Sequence, residues 1–434
     1  MSLTQELIAL IRNKPISDDD LAAAALLTLD ALASAYAGSA TSVGAILRNW
    51  ANDSGMDDRR RVFLMAALTH ITETDDLHRA SVTHPGCVVI PLALSLGEKS
   101  GASGEQVLRT ILHGYEAMCR IGAAVGPAHY RIWHNTATCG PFGAAMAAAT
   151  LLNLSDEQTV NALGNAGTQS SGFWQFMETG AMSKHLHAGR ASESGLLAAE
   201  LAAQGFTGPV DILEGKQGFF AGMCDDPVVE NILYRPDASW QLSLTSIKPW
   251  PSCRHTHPLI DCALELHRLI EGETIKRVDI KTYPVALDVC DRPDPENDYE
   301  ARFSLYHCVS IALLDGNVGL DSFDEPARQR SAAITHTISI SIADPYASSY
   351  PACWGAEVTI ITESGQAFKV SRKNCKGDPE QMLDGDEMRS KAMGLIMYAG
   401  LNQAQANSVC DSVLSMPRSA DQPKLFRDFI DQVI

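Results

Sequence analysis

From the N-terminus to about residue 270 the chain repeats apolar side chains at helical spacing, and at about residue 272 the rule changes. RVDIKTYPVAL, THTISISIA, AEVTIITES and QAFKVSRKN then carry β-branched residues in alternation, the period of a half-buried strand. ESGQ, between the last two, suits a hairpin turn. Asn297–Leu314 and part of Asp378–Tyr398, chiefly after Gly385, read as helices within the same block. From Gly400 to Ile434 the helical pattern returns. These changes predict a mainly α protein. A large all-helical domain would be built from both chain ends, residues 1–271 and 399–434, around an inserted α+β module, residues 272–398. At 434 residues the chain is also longer than one core usually organises.

Local signals place the helices. Ser17 followed by Asp18, Asp19 and Asp20 is a cap with acids in the first turn, where they oppose the helix dipole. The helix so begun is rich in Ala and Leu and ends near Gly38. Thr41–Ala51, Asp58–Ile71, Pro85–Glu98 and Gly104–Val125 follow, with Pro85 in the first turn, where its missing N–H costs nothing. Glu116 and Arg120 stand at i,i+4 and suit a surface pair. Gly140 to Ala149 is a run of small residues, which lets two helix backbones approach closely. Lys248-Pro-Trp-Pro cannot be regular helix.

Charge narrows the function. The formal net charge is -18, which argues against nucleic acid and anionic membrane, since both need an excess of Lys and Arg. A local cluster of basic groups in such a chain stands out. The eleven cysteines are scattered without a CxxC, so reduced thiols in the cytoplasm are expected. An iron–sulfur site would need Cys87, Cys139, Cys253 and Cys353 to converge by folding alone. The first twenty residues show no cationic stretch followed by an apolar core, so no signal peptide is expected. Leu21–Ala37 contains Asp30 and reads as a buried helix.

Four groups of residues could carry chemistry: Asp75, Asp76, His78 and His84; Tyr130 and His134; Lys184, His185, His187 and Arg190; Lys248, Arg254, His255 and His257. Each lies in irregular sequence bordering a helix, and Lys184–Arg190 falls at a helix start that favours anions. Glu73–Gly86, ETDDLHRASVTHPG, is the densest of these stretches. Brought together, Lys and Arg would bind carboxylates while a His or Asp moves a proton. The same residues admit plainer readings. Asp75 and Asp76 could be solvated or capping, His78 and His84 buried hydrogen-bonding groups, and Lys184–Arg190 a polar helix start. His185-x-His187 and His255-x-His257 have metal-ligand spacing but no Glu or Cys in register, so no metal is expected.

With these residues laid out, the chain resembles the MmgE/PrpD family of 2-methylcitrate dehydratases, cis-aconitate decarboxylases and an iminodisuccinate epimerase. The carriers are DDLHRASVTHPG at 75–86, HGYEAMCRIG at 113–122, WHNTATCGPFGAAMAAATLLNL at 133–154, KHLHAGRASESGLLAAELAAQGFTGP at 184–209 and IKPWPSCRHTHPLIDCALEL at 247–266. The resemblance implies a helical domain made from both chain ends, an α+β lid, an active site between them, no cofactor and a homodimer. His84 matches the histidine of the HPG signature, His134 the histidine before the Gly-rich helix, and Lys184 the lysine before the H-x-G segment. Lys248 matches the lysine before a Pro-containing turn, and Asp75 and Asp76 the paired acids upstream of HPG. The expected roles are catalysis by His84, Asp75, Asp76, His134 and Lys184, and substrate binding by His78, Tyr130, His187, Arg190, Lys248, Arg254 and His255. The expected reaction is a lyase step on a small polycarboxylate, ranked as dehydration, then decarboxylation, then epimerisation. One stretch departs from the family pattern D-F-D-D-T-H, reading Glu73-Thr74-Asp75-Asp76-Leu77-His78. Leu77 lacks the hydroxyl found there in relatives, which bears on substrate choice.

Overall fold

The computed structural model describes residues 1–419 and 424–434. Positions 420–423, inside the expected C-terminal helical stretch, lie outside the described residues. The chain is mainly α and divides into two compact units. The first comprises Met1–Ile71, Asp75–Thr245 and Asp384–Ile434; the second comprises Thr72–Thr74 and Ser246–Leu383.

The first unit is helical. Its centre is the helix Asn135–Leu151, buried from Asn135 to Ala149. Ser183–Ala203, Gly104–Ala124, Pro85–Ser100 and Asp156–Gly167 pack around it. Small residues set the spacing: a Cβ on Gly195 would fall 2.3 Å from the Ala144 Cβ and 2.7 Å from the Pro141 carbonyl oxygen. Any larger side chain there would force the two helices apart. The helix Asp18–Ser39 is long and apolar enough to cross a membrane, yet most of it is buried in this unit. Ser17 and Asp20 form its capping box. Asp30, within it, forms a buried ion pair with Lys391 of the helix Gly385–Tyr398. That pairing, and the packing of Gly385–Tyr398 along Asp18–Ser39, place this helix in the first unit.

Glu116 and Arg120 correct the expectation of a surface pair. Both are buried. Arg120 Nε donates to Glu116 Oε1 at 2.8 Å, and its Nη1 donates to the carbonyls of Ile232 and Tyr234. Glu116 also accepts from Lys14 Nζ at 3.1 Å and from the Gln241 backbone N–H at 2.7 Å. The i,i+4 spacing is the same on either face of a helix, and here the pair anchors an irregular segment to the core.

The second unit is α+β. Its four strands are β1 (Ile275–Thr282), β2 (Ile338–Ile342), β3 (Ala356–Thr362) and β4 (Ala367–Arg372), in the order β2-β1-β3-β4. β1 and β2 run parallel, Ile280 beside Ile340, and the other pairs are antiparallel. The β3–β4 hairpin turns through Gly365, whose φ of 86° favours glycine. His257–Leu269 packs on β3 and β4, which draws the start of this unit back to Ser246 from the expected 272. The helix expected over Asn297–Leu314 is two, Asp298–Arg302 and Leu305–Asp315. Ser304 breaks it by capping the second, accepting from the His307 N–H at 3.0 Å. Thr72–Thr74 joins this unit through Arg302, whose Nη1 donates to the Thr72 carbonyl at 3.0 Å, and through Glu73, which faces Lys248.

Candidate active site

Three helix termini of the first unit converge. The helix Asp58–Thr69 ends at His70, the helix Pro85–Ser100 begins after His84, and the helix Asn135–Leu151 begins after His134. The helix Ser183–Ala203 contributes Lys184, His185 and His187 from its first turns. Helix ends leave backbone groups unpaired and chain direction free to change, so side chains there can point inward together.

His84 is fixed from two sides. Its backbone N–H donates to Thr136 Oγ1 at 3.1 Å, and its Nδ1 lies 2.5 Å from the Asp76 carbonyl oxygen. A carbonyl only accepts, so Nδ1 carries the hydrogen and the neutral ring keeps its lone pair on Nε2. Asp76 itself is turned away into the core. It accepts from the Gly86 N–H at 3.0 Å and from the Tyr115 hydroxyl at 2.7 Å. Burial and the neighbouring Asp75 charge push its carboxyl up to about 8, against the pull of those two donors. Gly86 is needed for this contact, because a Cβ there would lie 2.9 Å from Asp76 Oδ1. The Gly of the HPG signature thus makes room for the second acid of the pair.

Asp75 is also buried. Its Oδ2 lies 2.6 Å from His70 Nδ1 and 3.7 Å from His84 Nδ1. The His70 ring is 4.7 Å from that of His84 and stacks at 5.8 Å on His134. His134 Nδ1 is 3.2 Å from His187 Nδ1, and Trp174 and Phe176 close over this pair at 4.7 and 5.5 Å between ring centroids. Burial first, and then the neighbouring cationic groups, hold His134 well below the usual histidine range. Burial, His70 and Lys184 bring His187 down to about 4. His185 meets His70 edge to face at 6.5 Å. Lys184 is buried among these groups, and its charge acts on His134, His187 and the Cys87 thiol. The cluster brings together two imidazoles held neutral, His134 and His187, the Lys184 side chain and the Asp75 carboxyl, the makings of proton transfer beside a bound anion.

Tyr130 touches the margin, edge to face with Trp174 at 5.3 Å. His78 is buried on its own loop, with Nδ1 2.8 Å from Ser81 Oγ, and burial lowers it to about 4. Arg190 is exposed and pairs with Glu193 one turn along its helix. Lys248, Arg254 and His255 belong to the second unit, where each has a buried partner. Lys248 Nζ is 3.3 Å from Glu73 Oε2, Arg254 pairs with Asp378, and His255 Nδ1 is 2.7 Å from the Tyr283 hydroxyl. Asp378 is further held by Ser246 Oγ at 2.8 Å and the Cys375 N–H at 3.0 Å.

Sequence reading did not single out His70, Tyr115, Trp174 or Phe176. His70 closes the apolar run MAALT, a polar residue at the end of a buried helix, and that is the one local signal it gives. Donor atoms of His70, Asp75 and His84 lie within 4.8 Å of one another, a spacing that a metal ion can use. The Nδ1 atoms of both rings are already engaged, by Asp75 and by the Asp76 carbonyl, so an ion held by those two atoms would displace both bonds.

Residues 5–231 match the MmgE/PrpD N-terminal domain and residues 250–415 the MmgE/PrpD C-terminal domain. The cis-aconitate decarboxylase-like protein oryM of Aspergillus oryzae is 25% identical over 391 residues, 83% of this chain and 80% of that protein. Human cis-aconitate decarboxylase is 27% identical over 280 residues, 61% of this chain and 56% of that protein. Cis-aconitate decarboxylase of Aspergillus terreus is 30% identical over 284 residues, 60% of this chain and 58% of that protein. With both domains matched, the chain belongs to the MmgE/PrpD family.

Proposed function

We propose that this chain is a lyase that acts on a small polycarboxylate by protein acid–base chemistry, with His84 as the residue that carries the proton. The observation behind this reading is the 2.5 Å bond from His84 Nδ1 to the Asp76 carbonyl, which places the hydrogen on Nδ1 and the lone pair of the neutral ring on Nε2. Lys184, buried in the same cluster, supplies the positive charge that a substrate carboxylate or a developing enolate needs. His134 and His187, held neutral, supply directional hydrogen bonds without adding charge.

Among the lyase reactions, decarboxylation of a cis-aconitate-like acid comes first, ahead of the dehydration that the sequence alone ranks higher. The support is the relatives, all three of which are named for that decarboxylation or for likeness to it. In such a step the bond to one carboxylate breaks and leaves as carbon dioxide. Its electron pair shifts through the double bond onto a carbon next to another carboxylate. The imidazolium of His84 then delivers one proton to that carbon. Dehydration would run the proton the other way: His84 removes it from the carbon next to a carboxylate, and hydroxide leaves with a proton from a donor.

One experiment separates these reactions. Purified protein, with no added cofactor, is incubated with cis-aconitate, citrate and 2-methylcitrate in deuterated buffer. Carbon dioxide release, alkene absorbance and deuterium uptake are recorded together. Carbon dioxide from cis-aconitate, with one deuterium gained in the product, is the expected result. New alkene absorbance from citrate or 2-methylcitrate without carbon dioxide would favour dehydration. Deuterium exchange alone would favour an epimerase.

A further inference from the structure

His70 has no part in the chemistry above, yet it is wholly buried against the residue that does. Its Nδ1 lies 2.6 Å from Asp75 Oδ2, while its Nε2 has no hydrogen-bond partner among the described residues. The bond to Asp75 is therefore the one that orients the ring. An N–H facing a buried carboxylate favours the charged form of that carboxylate. The same Oδ2 lies 3.7 Å from His84 Nδ1, whose hydrogen is already given to the Asp76 carbonyl. Asp75 thus acts on His84 by charge rather than by a direct short hydrogen bond.

We propose that His70 is a positioning residue that holds Asp75 as the anion and, through that charge, raises the proton affinity of His84. The inference rests on the reading of His84 as the proton carrier. The groups facing His84 from each neighbouring element leave Asp75 in this role. On its own helix, the Cys87 thiol is pushed well above its usual range by burial and the two acids, so it is neutral. From the loop before it, Asp76 is pushed up to about 8 and turned toward Tyr115. His134, from the central helix, is neutral. The helix Ser183–Ala203 brings the Lys184 cation and His185, and Lys184 opposes protonation of its neighbours. Asp30, from the helix Asp18–Ser39, is paired with Lys391. Asp75 is then the nearby carboxylate that favours an imidazolium at His84.

The test needs no substrate. Histidine-selective ¹⁵N NMR across a pH titration reads both the tautomer and the midpoint of His84, identified by its loss in His84→Ala. The full-length protein is compared with His70→Ala and His70→Asn. The wild-type His84 should show the Nδ1–H tautomer. In His70→Ala, Asp75 loses the donor that His70 supplies and its anion is less favoured, so the His84 midpoint should fall by about one pH unit or more. His70→Asn, whose side-chain N–H can stand where Nδ1–H stood, should return it toward the wild-type value. A His84 midpoint unmoved in His70→Ala overturns the proposal. If His70→Ala does not fold, Asp75→Asn removes the charge directly, and an unmoved midpoint there overturns it equally. Turnover by His84→Ala is scored in parallel. Activity retained in that variant defeats the reading of His84 as proton carrier, whereas activity lost with no midpoint shift in His70→Ala defeats this inference alone.

Discussion

The Tyr115 hydroxyl donates to Asp76 Oδ2 at 2.7 Å, and this bond ties the paired-acid segment to the helix Gly104–Ala124. Asp76 is an acid whose carboxyl is pushed up to about 8 in the folded chain, against about 3.9 for a free Asp. The folded state therefore binds that proton more tightly than the unfolded state. Its contribution to stability is present below the unfolded value and is lost as pH rises toward 8. Thermal unfolding midpoints should fall from pH 5 to pH 8 in the wild type. Asp76→Asn can accept from Gly86 and donate to the Tyr115 oxygen, so its midpoint should fall less over the same range. An equal slope in the two proteins would show that Asp76 is not the titrating group.

His84 is the residue to remove first. It makes no side-chain cap bond to its helix, so replacing it leaves the start of that helix intact. His84→Ala should lower kcat/KM on the active polycarboxylate at least about a hundredfold, the scale of a lost general acid or base. Circular dichroism and the unfolding midpoint should stay near wild type. A variant that keeps turnover within a few-fold would move the chemistry to another member of the cluster, with His134 the next to test.

Much of this arrangement was readable from the chain, and the remainder was unreadable for physical reasons. Ser17 with Asp20, Pro85 after His84, and the small residues from Gly140 on act within a turn or two of helix, so local sequence exposes them. The strand block was readable because alternation survives in β1, β3 and β4. Burial of charge was not readable. Glu116 and Arg120 look the same on a wet or a dry face, and only the arrival of Lys14 and Gln241 from distant chain settles it. His70 was missed for a similar reason, since its bond to Asp75 depends on how the chain folds back after the helix ends. Arg254 suits carboxylate binding by residue type, yet in this unit it is engaged with Asp378.

Metal removal should be without effect. The Nδ1 atoms of His70 and His84 lie 2.6 Å and 2.5 Å from protein oxygens, and a metal on these atoms would have to break both bonds. Protein dialysed against a strong chelator should keep its turnover, and elemental analysis should find less than one transition-metal ion per chain. Activity lost on chelation and restored by one equivalent of zinc or iron would make the cluster a metal centre.

The departure at Glu73 makes the last prediction. Lys248 Nζ lies 3.3 Å from Glu73 Oε2, both side chains being buried in the second unit. Glu73 also holds a backbone φ of 57°, a region that side-chain-bearing residues seldom occupy. Removing the carboxylate takes away a charge that faces a buried ammonium, a loss that typically costs about 3–5 kcal/mol when it leaves a buried charge uncompensated. Replacing both partners by apolar groups removes the charge and its need together, and often costs far less. Glu73→Ala should therefore lower the unfolding midpoint markedly, while Glu73→Ala combined with Lys248→Met should recover most of the loss. Glu73→Asp, which restores the residue type found in relatives, shortens the reach by one methylene and should fall between the two. If Glu73→Ala unfolds like the wild type, the pair contributes nothing measurable to stability. The departure at this position would then have to be explained by its effect on turnover, by comparing kcat and KM of Glu73→Asp with the wild type.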